Sequence, residues 1–132
     1  MDFQLQLIAP ADHEAQAGVS GVLALAPDAE VAGVALDGVT RIDLQFPGFA
    51  DGRAFSQAFL LRRRRGYTGE IRATGDVLID QLVQMQRTGF TSAVLRADQD
   101  PAHATRQFAR YASYYQGDAV TVLPRFKEVA TV

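Results

Sequence analysis

The chain has 132 residues, a formal net charge of −2 and no cysteine. The lack of cysteine excludes disulfides, thiolate nucleophiles, cysteine-ligated zinc and a thiolate-held iron–sulfur cluster. The acidic balance argues against nucleic acid as a general partner. The length predicts a single domain over residues 1–132, and the absence of a signal-peptide pattern or a long apolar run predicts a cytoplasmic protein with no membrane partner.

A short glycine pattern recurs along the chain. Gly18, Gly38, Gly66 and Gly89 are each followed by an apolar residue, then by serine or threonine, and then by a short strand-like run. Gly117 begins a looser fifth copy. The pattern predicts a helix that ends at a left-handed glycine, with a strand directly after it. The predicted strands are residues 22–26, 42–46, 70–73, 93–96 and, loosely, 119–123, preceded by an alternating edge strand at 3–8.

The segments between these strands carry helical signals. Asp51 is expected to cap the first long helix, and the arginines at 62–65 occupy its last turn, where cations complement the helix dipole. Its predicted apolar stripe comprises Phe55, Ala58, Phe59 and Leu61. Residues 28–36 predict a shorter helix.

Two more helices are predicted in the second half of the chain. Asp76 is expected to cap the first of them, and Asp100 with Pro101 is a suitable start for the second. The inward-facing residues of the first are expected to be Leu78, Leu82 and Met85, and those of the second Ala104, Phe108, Tyr111 and Tyr115. Residues 124–132 predict an extended tail.

Alternating strands and helices with short connections predict an α/β fold with a mainly parallel sheet of four or five strands and right-handed crossovers. The helices pack on the sheet, and the N-terminal strand lies at an edge. An open sheet and an arc resembling half of a βα barrel both fit the pattern.

Three arginines follow or end predicted strands. Ligands of parallel α/β folds bind outside the carboxyl ends of the strands, where Arg53, Arg72 and Arg96 are expected to converge with Asp51 and Asp76. This rim suits a small oxyanion or a carboxylate. The alternative interpretation is structural: the two aspartates cap helices and pair with the arginines.

Other chemistries have weaker support. His13 and His103 are far apart in sequence, so no metal site is expected, and no motif for a cofactor occurs. Asp76 and Asp80 are spaced for one helix face and are candidates for acid–base work, although such a pair is more often a cap and a solvated side chain. Arginines 62–65 are better explained as the cationic last turn of a helix than as a nucleic-acid site. As a partner for them, a protein with an acidic face is also favoured over nucleic acid.

One long segment matches a known pattern. Residues 46–58, Phe-Pro-Gly-Phe-Ala-Asp-Gly-Arg-Ala-Phe-Ser-Gln-Ala, resemble the signature of a bacterial family named domain of unknown function 934. The resemblance continues through residues 60–62, 65–78, 80–82, 87–90 and 95–96. The first forty residues match only in general character. One position departs from the pattern, because family members often carry arginine where this chain has Phe59.

The resemblance implies a connection with sulfite reduction, since genes of this family often lie beside a sulfite or nitrite reductase haemoprotein. It supplies no catalytic residues. Without cysteine, the chain is not expected to be the electron-carrying subunit in the conventional sense. The resemblance therefore implies an accessory protein of assimilatory sulfite (or nitrite) reduction that contacts the reductase or binds an oxyanion.

Two alternatives come from other functional classes. One is a small cytoplasmic enzyme in which Arg72 and Arg96 hold an anionic substrate and Asp76 is the acid or base. The other is a homodimeric scaffold that uses a face with Tyr111, Tyr114 and Tyr115. A deep pocket holding the rim residues would favour the enzyme, whereas a flat apolar face would favour partner binding.

Overall fold

The computed structural model describes residues 5–48, 51–100, 102–103, 105–106 and 109–110. Within these residues, five strands form one open parallel sheet in the order β1-β5-β4-β3-β2. The strands are β1 (Gln6–Ile8), β2 (Val22–Leu25), β3 (Arg41–Phe46), β4 (Glu70–Gly75) and β5 (Ser92–Val94). The helices with described bounds are α1 (Pro10–Ala15), α2 (Arg53–Arg63) and α3 (Leu82–Thr88), the last preceded by a 3₁₀ turn at Ile79–Gln81. Residues 102–103, 105–106 and 109–110 are also helical and are exposed. The predicted α/β class, parallel sheet and N-terminal edge strand are confirmed.

The strand order explains why the helices lie on different faces of the sheet. From β2 to β5 the chain moves one strand at a time, whereas the step from β1 to β2 crosses from one edge to the other in the opposite direction. Because parallel crossovers are right-handed, this reversal places α1 on the face opposite α2 and α3. His13 and Gln16, in and after α1, accordingly contact side chains of β3 and β4.

The two faces of the central strands differ in chemistry. Ile42, Leu44 and Phe46 of β3 are fully buried beside Ile71 and Ala73 of β4. The helical side of this core is formed by Ala54, Ala58 and Leu61 of α2 and by Leu82 and Met85 of α3. Because side chains alternate along a strand, the intervening polar residues of β3 and β4 point toward α1.

The recurring glycines adopt the predicted backbone conformation. Gly18, Gly38, Gly66 and Gly89 have φ values of 81°, 76°, 65° and 118°. At Gly89 the whole motif forms: the glycine ends α3, the Phe90 N–H donates to Met85 O at 3.0 Å, and the Phe90 ring is buried. Gly38 follows turns rather than a helix, so the feature that the four copies share is a left-handed glycine before a strand.

The helix predicted over residues 28–36 is wrong. This segment consists of turns and irregular backbone. Carbonyl groups in the segment accept hydrogen bonds from side chains instead of from helical N–H groups: Gln57 of α2 donates to Ala29 at 3.0 Å, and Arg65, just after α2, donates to Val34 at 2.7 Å. Gly33 within the segment also disfavours a helix.

The predicted cap at Asp76 is wrong, because the helical segment after β4 starts beyond Leu78. The N-cap position of α2 is Gly52 rather than Asp51, but the Asp51 carboxylate still accepts a hydrogen bond from the first backbone N–H of α2, that of Arg53, at 3.0 Å. Each aspartate also binds an arginine side chain, as described below. Asp100 accepts a hydrogen bond from the Ala102 N–H at 3.0 Å, as expected of a residue that starts a helix.

Burial differs from the predicted apolar stripe at one position: Phe59 is 47% exposed. The predictions for Pro101, Ala104, Phe108, the three tyrosines, the copy at Gly117 and the tail at 124–132 lie outside the described residues. Within the described part of the chain, no helix has the length and apolar character needed to cross a membrane.

Candidate functional site

Asp51 and Arg53 form a closed pair after β3. The Asp51 carboxylate accepts hydrogen bonds from the Arg53 backbone N–H at 3.0 Å, from Nε at 3.1 Å and from Nη2 at 2.6 Å. The hydrogen bonds from Arg53 lower the pKa of Asp51 to about 2. The arginine therefore already holds a permanent anion at neutral pH.

Arg96 lies between two carboxylates at the carboxyl ends of β4 and β5. It donates to Asp98 through Nε at 2.9 Å and Nη2 at 2.6 Å, and to Asp76 through Nη1. Hydrogen bonds to Asp98 and then to Asp76 raise the pKa of Arg96, and Arg96 lowers the pKa of Asp98. The structure thus brings Arg96 and Asp76 together, as the sequence predicts.

Arg72 does not lie at this rim. It is the third residue of β4, which runs to Gly75 instead of ending at Ala73, and only 4% of the residue is exposed. The expected convergence of Arg72 with Arg53 and Arg96 is therefore not what the structure shows. The two additional strand residues place Arg72 within the sheet.

Arg72 instead belongs to a group of side chains between the sheet and α1, which we call the α1 polar cluster. Five members are polar residues of β3, β4 and β5 that face α1, and the other two lie in or directly after α1. The seven residues are Arg41, Asp43, Glu70, Arg72, Ser92, His13 and Gln16. Two arginines face two carboxylates, so the cluster is electrostatically balanced.

The half of the cluster around Arg72 is fully hydrogen-bonded. Arg72 donates to Glu70 Oε2 from Nε at 3.0 Å and from Nη2 at 2.8 Å. Its Nη1 lies 2.7 Å from Gln16 Oε1 and 3.0 Å from His13 Nδ1. Ser92 Oγ donates to Glu70 Oε2 at 2.6 Å. Burial alone would raise the pKa of Glu70, but the hydrogen bonds from Ser92 and Arg72 outweigh it and lower that pKa.

The other half contains a bidentate ion pair. Arg41 donates to Asp43 from Nε at 2.8 Å and from Nη2 at 3.0 Å. Arg41 Nη1 also donates to Gln16 Oε1 at 3.3 Å, so one amide oxygen joins both arginines. Both members of the pair are buried. This geometry links α1 to β3 and β4.

His13 is held as a neutral acceptor. Because arginine has no acceptor, His13 Nδ1 must accept from Arg72, which leaves the proton of the neutral ring on Nε2, 4.0 Å from Asp43 Oδ2. Burial lowers the pKa of His13, Asp43 opposes this, and Arg72 and Arg41 add to the lowering. With Nδ1 occupied and Ser92 1% exposed, the cluster offers neither a free base nor an accessible nucleophile.

Two of the four arginines at 62–65, Arg62 and Arg65, bind backbone carbonyl groups of other segments. Arg62 donates to Gly89 O at 2.8 Å, Gly69 O at 2.8 Å and Tyr67 O at 2.9 Å, and burial lowers its pKa. Arg65 binds the irregular segment before β3. Arg63 and Arg64 remain exposed. No group of three or more histidine, aspartate or glutamate residues suited to a metal ion occurs among the described residues.

An apolar depression lies between α2 and the end of α3. Its volume is about 460 Å³, and it is open to solvent. It is lined by Phe55, Ser56, Phe59, Leu60 and Thr88, a set that includes none of the five predicted ligand residues. The Arg63 guanidinium lies 5.1 Å from the centroid of the Phe59 ring. Of the two phenylalanines that line the depression, Phe55 packs against the core, whereas Phe59, which was expected on the same buried stripe, is exposed.

The family described as "Bacterial protein of unknown function (DUF934)" matches residues 22–126. The chain belongs to this family. No curated protein and no solved structure matched the chain. The match confirms the resemblance seen in the sequence.

Sequence reasoning missed most of the α1 polar cluster of this DUF934 member. The missed residues are Gln16, Arg41, Asp43, Glu70 and Ser92. A signal was present in β3 and β4, where polar residues alternate with apolar ones in strands that a parallel sheet normally buries on both faces. Since right-handed crossovers place α1 over that face, the alternation identifies a buried polar layer.

Proposed function

We propose that this protein is an accessory protein of assimilatory sulfite (or nitrite) reduction, located in the cytoplasm, that acts by contact with another protein. The observation that carries protein contact is the half-exposed Phe59 in an open apolar depression between α2 and α3. Aromatic side chains are enriched at protein interfaces, so an exposed phenylalanine in an apolar depression supports contact with a partner. The link with sulfite reduction comes from the family resemblance, and the reductase is the proposed partner.

The ion pairs of the rim favour protein contact over oxyanion binding. Arg53 is bound to Asp51, and Arg96 is bound to Asp76 and Asp98. An incoming sulfite or sulfate would have to displace carboxylates that already satisfy each guanidinium. Arg72 is buried under α1 and offers even less access.

The second candidate is a small enzyme with an anionic substrate at the carboxyl ends of the strands. The juxtaposition of Arg96 with Asp76 favours it, because a cation and a carboxylate then share one rim. It ranks below protein contact, since the depression contains neither residue. The homodimeric scaffold depends on Tyr111, Tyr114 and Tyr115, which lie outside the described residues.

The proposal is tested in the bacterium that encodes the protein. A deletion strain should grow poorly with sulfate or sulfite as the sulfur source and normally with cysteine. The wild-type gene should restore growth, whereas Phe59→Ser should not, although the variant accumulates and folds. Unchanged growth of the deletion strain on sulfate and sulfite would contradict the link with sulfite reduction.

A further inference from the structure

Among the described residues, the two helices that line the depression contribute cations and no carboxylates. Neither α2 nor α3 contains aspartate or glutamate. Arg63 is exposed in the last turn of α2, and Arg64 is exposed directly after it. Arg53 starts α2 and is neutralised by Asp51. The end of α2 beside the depression is therefore locally positive, although the whole chain has a net charge of −2.

The floor of the depression offers apolar contact and few hydrogen bonds. Three of its five lining residues are Phe55, Phe59 and Leu60. The Thr88 hydroxyl lies 3.1 Å from each of the carbonyl oxygens of Gln84 and Met85 in its own helix, so its proton is already in use. An occupant must therefore bring apolar side chains to the floor.

Arg63 connects the apolar floor with the charged edge. Its guanidinium lies over the Phe59 ring at 5.1 Å, which holds the cation at the border of the depression. A side chain that enters next to Phe59 thus meets a cation at one side. The complementary ligand combines an apolar residue with neighbouring carboxylates.

We propose that this surface binds an acidic segment of a partner protein, with an aromatic or aliphatic side chain in the depression and flanking carboxylates paired with Arg63 and Arg64. The inference rests on the protein-contact function proposed above and names the chemistry of the partner. Nucleic acid fits less well, because single strands are bound by a groove of cations with several stacking aromatics. Among the described residues, Phe59 is the one exposed aromatic ring at this surface.

Selection from a display library of random linear peptides on the immobilised full-length protein tests the inference without the natural partner. The wild-type protein should enrich peptides that combine Asp or Glu with Phe, Leu or Trp. The double variant Arg63→Glu, Arg64→Glu should enrich basic peptides instead. Enrichment of neutral or basic peptides by the wild type would overturn the inference, as would no enrichment above the Phe59→Ser variant.

Affinity measurements with the most enriched acidic peptide then locate its site. Two exposed ion pairs predict a loss of about tenfold in the double variant and weaker binding as salt rises. Phe59→Ser should lose at least as much. The control Arg106→Glu, Arg110→Glu makes the same charge change at exposed positions outside α2 and α3 and should bind like the wild type.

Two results would contradict an acidic protein segment as the occupant and identify another one. Tighter binding of a single-stranded RNA that competes with the peptide would indicate nucleic acid. Concentration-dependent dimerisation that Phe59→Ser abolishes would indicate a second copy of this chain. These results are distinct from a failure of the sulfite-reduction proposal. In that case the deletion strain would grow normally on sulfate and sulfite, while acidic peptides would still bind at Phe59.

Discussion

Arg72 Nη1, at the centre of the sheet, lies 3.0 Å from His13 Nδ1 in the short helix α1. This contact joins two elements that are 59 residues apart in sequence. It also explains why an arginine expected to bind a ligand is 4% exposed. Arg72 organises the polar layer between α1 and the sheet.

Replacement of Arg72 should destabilise the fold. Arg72→Met leaves Glu70 without its cation, and it removes the hydrogen bond to His13 and the shorter of the two to Gln16. We therefore expect a loss of about 2–4 kcal/mol in urea unfolding. Arg72→Lys should recover only part of it, because lysine lacks the planar fork that reaches Glu70 and α1 together.

The matched control for this prediction is Arg64→Met, an exposed arginine whose replacement should change stability by no more than about 0.5 kcal/mol. Equal stability of the Arg72 and Arg64 variants would contradict a structural role for Arg72.

His13 should make stability depend on pH. Its pKa in the folded protein is lowered below the ordinary 6.5, so the unfolded chain binds more protons in that range. Stability therefore rises with pH, is complete above the unfolded pKa and is lost as pH falls below 6.5 through the folded pKa. His13→Asn should flatten this dependence, because the amide oxygen accepts from Arg72 without titrating.

Unfolding by urea at a series of pH values measures the effect. His103→Asn is the control, since it removes the other histidine, which lies on an exposed helical segment outside the cluster. If His13→Asn and the wild type have the same slope, His13 is not held neutral by its surroundings.

The two phenylalanines of α2 should respond differently to truncation. Phe55 is partly buried and makes edge-on contact with Phe46 at 5.0 Å and with Phe90 at 6.2 Å. Phe55→Ala should cost about 2–4 kcal/mol in unfolding free energy. Phe59→Ser should cost less than about 1 kcal/mol, because its ring is half exposed. A large cost at Phe59 would identify it as a core residue and weaken its assignment to partner binding.

Small oxyanions should not stabilise the protein selectively. Thermal unfolding with sulfite, sulfate, phosphate, nitrite or chloride at matched ionic strength should give similar midpoints, because Arg53 and Arg96 already hold carboxylates. A specific ligand at 100 times its dissociation constant would add about 2.7 kcal/mol, which shifts the midpoint by several degrees. A selective rise that Arg96→Ala abolishes would favour the enzyme interpretation instead.

The fold could be predicted from the sequence because its signals are local. Glycine turns, short apolar runs and the helices between them recur in an order that permits few parallel topologies. The polar layer under α1 was missed although β3 and β4 carry its alternating pattern, because Arg72 was expected near the end of a shorter β4. The length of β4 is set by pairing with β3 through Gly75, a long-range interaction.

The exposure of Phe59 and the irregular backbone at 28–36 also depend on long-range contacts. Helical spacing places Phe59 on the same stripe as Phe55, but the core is already filled by Ala58, Leu61 and the rings of Phe46 and Phe90. At residues 28–36, the side chains of Gln57 and Arg65 donate hydrogen bonds to the backbone carbonyl groups of Ala29 and Val34, which helical N–H groups would otherwise bind. Neither effect is visible in periodicity.

The most direct test of the proposed function is crosslinking from position 59 in the living bacterium. A photoreactive phenylalanine analogue at Phe59, in cells growing on sulfate, should crosslink to the sulfite (or nitrite) reductase. The same analogue at Asp37, an exposed position in a turn before β3, is the control and should not. Crosslinking to the reductase from position 59 alone is the predicted result. No crosslink from position 59, or equal crosslinks from both positions, would contradict the assignment of this surface to partner binding.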